Sequence, residues 1–200
     1  MSDQFDTASG AVALPGGEWT LIGEDSPEND TSEQFVLARI GKDQDDNSHL
    51  DGLIFLTVST KSSVTDWCER NKDALHFAPV SGTDANVKGC LAINELITRF
   101  DNLRGQHLSI ATQTLDQSNV IRPDTMYFAT FRLANDSKAI SVSYGFDFRQ
   151  RANAMIPDYA PAQSVPFQSA HSDEARERNL ETVIEWARAY EASLTSRFFD

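Results

Sequence analysis

Hydrophobic positions recur along much of this chain with period two, the spacing of a strand that has one face buried. Trp19 to Gly23, Gln34 to Ile40 and Leu53 to Val58 are rich in β-branched and aromatic residues, which fit a pleated surface. Between them lie Glu24-Asp25-Ser26-Pro27-Glu28-Asn29-Asp30 and Lys42-Asp43-Gln44-Asp45-Asp46-Asn47-Ser48. Their Asn, Asp, Ser and Pro bond locally to the backbone or fix φ, and so turn the chain. Three strands joined by two such turns predict a meander with its acidic loops at opposite ends. The third run is apolar on both faces, which predicts a central strand covered on both sides.

Further along, Ser63 and Asp66 stand in a capping-box relation that predicts a short helix, with Val64, Trp67 and Cys68 on one face and Trp67 buried. Strands are predicted at Ala74–Val80 and Val87–Ile97, and a helix over Leu103 to Leu115, weakened by Gly105 and with His107 near its apolar face. Tyr127, Ala129, Phe131 and Leu133 alternate with polar partners before the turn Asn135-Asp136-Ser137. The return run alternates Ile140, Val142, Tyr144 and Phe146 with Ser141, Ser143 and Gly145, a strand with one wet face. Residues 149–171 hold three prolines and predict a long surface connection. Ser172 then caps a long helix whose stripe is Leu180, Val183, Ile184, Ala187, Tyr190 and Leu194. Residues 1–16 read as a flexible N-terminal arm before a single domain over 17–200. The fold class is α+β: a mostly antiparallel sheet of six to seven strands carrying a short, a middle and a long C-terminal helix.

With 40% hydrophobic residues and twelve Phe, 200 residues are enough to bury a core without metal. No run approaches the roughly 20 apolar residues needed to cross a bilayer, so membrane insertion is not expected. The net charge is −13, and residues 1–51 hold twelve acids against two bases, −10 of that total. A nucleic-acid partner needs the opposite sign. A basic protein partner is allowed, with Glu24, Asp25, Glu28, Asp30, Asp43, Asp45 and Asp46 as the residues that would meet it; plain solubility accounts for the surplus equally well. Met1 to Gly10 lack the basic-then-apolar layout of a secretory leader. A cytoplasmic chain and an exported chain that has lost its leader both fit.

Candidate chemistry is sparse. Cys68 and Cys90, with 21 residues between them, fit a disulfide and two free thiols equally well by spacing alone. A nucleophile reading would pair Cys68 with His76 or His107, but no local signature supports it. The four histidines have no zinc spacing. The Asp43-to-Asn47 loop fails as a calcium loop, with Ser48 at position six and Ile54 at position twelve. No phosphate-binding glycine loop or nucleophile elbow occurs, and no cofactor is expected.

Trp67-Cys68-Glu69-Arg70, Gly89-Cys90-Leu91-Ala92-Ile93-Asn94 and the late Glu185-Trp186-Ala187 helix ending near Phe198 resemble an uncharacterised family of exported, envelope-associated proteobacterial proteins. Members often carry Cys-Trp where this chain has Cys90-Leu91. The resemblance implies export to the periplasm or beyond, and with it a Cys68–Cys90 bridge, but no activity. Three functions are carried forward, in this order: a non-catalytic envelope protein that binds another protein, a small-molecule or lipid carrier with an apolar cavity, and a hydrolase.

Overall fold

The computed structural model describes residues 4–26, 31–42, 45–60, 65–81, 86–98, 105–147 and 173–199. Its strands are β1 (Gln4–Thr7), β2 (Gly10–Ala13), β3 (Thr20–Asp25), β4 (Ser32–Lys42), β5 (Ser48–Ser59), β6 (His76–Ser81), β7 (Lys88–Ile97), β8 (Thr125–Ala134) and β9 (Ala139–Phe146). Its helices are α1 (Thr65–Arg70), α2 (Gln106–Gln117) and α3 (Asp173–Phe199). The fold is α+β, as the period-two pattern predicts. Seven strands form one antiparallel sheet in the order β3-β4-β5-β9-β8-β7-β6, and β1 pairs with β2 in a separate hairpin. Two local meanders, β3-β4-β5 and β6-β7-β8-β9, therefore meet along the β5–β9 pair. The β3–β4 register shifts between Leu21 and Gly23, and Pro79 lies in the edge strand β6 opposite Cys90.

Alternation along β5 explains both faces of the sheet. Ile54, Leu56 and Val58 point into the larger core, under α3, with Leu37, Phe131 and Val142. Leu53 and Phe55 point the other way, into a smaller core under α2 with Val36, Leu108 and Leu115. Burying one such side chain stabilises the fold by roughly 1.5–3 kcal/mol. The α3 sequence contains neither Pro nor Gly, opens with Asp173 and Glu174, and has Arg197 in its last turn, so its charges complement the helix dipole. Arg176 clamps its first half to β7, with Nη2 2.6 Å from Glu95 Oε2. Lys138, from the β8–β9 turn, donates to the carbonyls of Ser9 and Phe198 at the other end.

Three expectations need correction. The segment read as a flexible arm contains β1 and β2, and Val12 is 0% exposed beneath α3. Its place is fixed by the Tyr144 hydroxyl, which donates to the Ala13 carbonyl at 3.0 Å, and by Phe5 packing edge-on against Phe35 at 5.0 Å. The buried stripe of α3 differs from the predicted one, because Trp186 and Phe198 are buried while Leu180 and Ile184 are half-buried at its flank. Trp67 is also half-buried, because its ring stacks on the guanidinium of Arg132 rather than on an apolar side chain. The proposed caps Ser63 and Ser172 and the connection 149–171 lie outside the described residues.

Candidate functional site

Cys68 and Cys90 are joined, with an S–S distance of 2.04 Å and Cα atoms 5.9 Å apart, well inside bridging range. Leu91 and Ile93 belong to the core under α3, so Cys90, one step out of phase, points to the opposite face. The bond therefore fixes α1 on the same face as α2, over β7. Oxidation also removes the thiolate that a Cys68 nucleophile would need. His76 does not accompany Cys68: it pairs with Ile93 and faces α3. His107 sits on α2, whose backbone presses on Gly23.

The bridge positions Trp67. The Arg132 guanidinium carbon lies 3.7 Å from the Trp67 ring centroid, a cation–π stack. Arg132 is directly opposite Cys90 on β7 and Ser141 on β9. Its Nε is buried without a hydrogen-bond acceptor. Burial, and then the neighbouring charge of Arg70, lower its pKa to about 10, which leaves it charged at neutral pH. Beside it Thr130 and Ser143 share a hydroxyl–hydroxyl bond of 2.8 Å. Thr57, Ser141 and Asn94 are half-buried on the same face. Helix α1 rests on β7 and α2 on β3 and β4, so the polar middle of this face lies between them. Sequence alternation places Arg132 on the wet face of β8; its stacking needs α1 to be docked, and the bridge ties α1 to β7.

The acidic candidates do not gather there. Glu24 and Asp25 close β3, while Asp45 and Asp46 follow β4, so the two pairs lie at opposite ends of that strand. Asp46 pairs with Lys42 at 3.2 Å, and Asp25 bears on His107. Glu28, Asp30 and Asp43 lie outside the described residues. No group of three or more metal-ligating side chains occurs among the described residues.

No family model, curated protein or solved structure matches this chain. Of what the family resemblance implies, the Cys68–Cys90 bridge is present. No helix among the described residues is long and apolar enough to cross a membrane. Beneath α3, Trp186 meets Phe146, Tyr144 and Tyr190 at ring separations of 4.6, 5.3 and 4.7 Å, so that part of the interior is filled ring against ring.

Proposed function

We propose that this is a non-catalytic binding protein of an oxidising compartment, periplasmic or extracellular, whose partner is another protein. The observation that carries the reading is the polar middle of the second sheet face, where Thr130, Arg132, Ser141 and Ser143 lie between two helices, one of them tied down covalently. Half-buried hydroxyls on a rigid sheet suit recognition, since their positions are set before a partner arrives. The disulfide supports the compartment, because reducing cytosol keeps such thiols apart. The acid surplus of residues 1–51 supports a basic partner, met at the ends of β4.

Pull-down from an envelope extract, at low and high salt, tests this against a Ser141→Gln variant that crowds the face at a position flanked by Thr57 and Arg132 rather than by either core. Capture of one partner, lost in the variant and weakened by salt, is the expected result. Equal capture by both proteins would move the interface elsewhere. Capture indifferent to salt would remove the basic partner.

A further inference from the structure

Arg132 lacks what Arg122, Arg176 and Arg178 each have. The chain has thirty acidic residues, and Arg176 and Arg178 each pair with a carboxylate, at 2.6 and 3.8 Å. No carboxylate among the described residues pairs with Arg132, and the charge that bears on it is a second cation, Arg70. Trp67 covers one flat side of the guanidinium, but a ring offers no acceptor to its N–H groups, and Nε has none. A partly desolvated cation without a counter-charge destabilises the free protein, and an arriving anion relieves that cost.

We propose that Arg132, stacked on Trp67 and flanked by Arg70, is a binding site for a small carboxylate. The site stands apart from the identity of any protein partner. With one flat side stacked and Nε buried, the two Nη groups are what a ligand can reach, and a planar carboxylate matches their N–H groups lying in one plane. Ser141 lies straight across β9 from Arg132 and can donate to the same ligand. In the Thr130–Ser143 pair one hydroxyl hydrogen is used between them, and the other is free to turn outward. The charge of Arg132, with no carboxylate paired to it among the described residues, disfavours a cation here. A polyanion would meet the acid surplus of residues 1–51, which a small anion avoids.

The test is an NMR titration of the full oxidised chain, following the Arg132 Nε–H and the Trp67 indole N–H. The probes are N-acetylglycine, its uncharged amide and inorganic phosphate. Saturable shifts with N-acetylglycine and none with the amide are expected. Arg132→Gln should weaken binding roughly tenfold or more, and Trp67→Leu roughly two- to fivefold. Arg132→Lys keeps the charge but loses the fork, so it should also bind more weakly; it serves as the reporter if the Gln variant does not fold. No saturation by any probe would overturn the proposal, as would binding unchanged in Arg132→Lys and Arg132→Gln. Saturation by phosphate alone would overturn the choice of carboxylate.

Discussion

Cys90 stands directly opposite Arg132 in the β7–β8 pair, so the sulfur that ties down α1 and the guanidinium that α1 covers are neighbours on one face. Trp67 precedes Cys68 in the chain, and the bond therefore sets the lid as well as the fold. Replacing both cysteines by serine should cost about 3 kcal/mol in urea unfolding, from the loop that the bond closes. Fluorescence of Trp67, read with Trp19 and Trp186 replaced by Phe, should shift to the red as α1 leaves the sheet. A loss below about 1 kcal/mol with an unmoved spectrum would show α1 held by packing alone.

Neighbouring positions on α3 should differ sharply. Trp186 is 3% exposed within a group of four rings, so Trp186→Ala should cost about 3–5 kcal/mol. Ile184 packs at the flank and keeps part of its solvent contact, so Ile184→Ala should cost about 1–2 kcal/mol. Thermal or urea melts separate the two, and equal losses would place the buried stripe elsewhere.

Helix α2 approaches β3 so closely that only glycine fits. A Cβ on Gly23 would lie 2.2 Å from the His107 carbonyl oxygen and 3.1 Å from the Ala111 Cβ. Gly23→Ala should therefore push the helix outward and cost about 1–3 kcal/mol. Amide exchange should rise along α2 while α3 keeps its protection; unchanged exchange in α2 would refute the close fit.

Stability should fall as the solution turns mildly acidic. Burial lowers the pKa of His107, opposed in part by Asp25, and burial with the charge of Arg188 lowers that of His76, both from the ordinary 6.5. Below about 6.5 the unfolded chain takes up protons that the folded chain does not. The stabilisation is thus complete above that pH and drains away towards the lower folded-state values. Urea midpoints at pH 7.5 and 5.5 should differ, and His76→Gln with His107→Gln should shrink the difference. Burial raises the pKa of Glu191, which acts in the opposite sense as pH rises through the carboxylate range, so both variants must keep it.

Local signals carried much of this architecture. The two-faced apolar run of β5 announced a covered central strand, and the clean alternation of β8 and β9 announced their hairpin. The β5–β9 pairing had no such signal, because Ser59 meets Ala139 eighty positions further on and nothing near either residue specifies the other. Four-residue strands such as β1 and β2 are too short for alternation to stand out, so the N-terminal hairpin looked like an arm. Trp186 was missed because the stripe runs through Val183, Ala187, Tyr190 and Leu194, and Trp186 lies one position beside it. The Trp67–Arg132 stack was invisible because each residue belongs to a different element, and only their docking makes them partners. Opposite placement of the acidic residues that flank β4 followed from meander geometry alone.

The margins of the sheet have their own consequence. At one border Pro79 interrupts β6 with a nitrogen that carries no hydrogen, which blunts the template that a bare strand offers to a stranger. At the other border the β3 irregularity near Gly23 and the carboxylates of Glu24 and Asp25 discourage a second copy from docking alongside. Self-association by strand exchange is thereby resisted at both borders, so the sheet ends where its own two outer strands end.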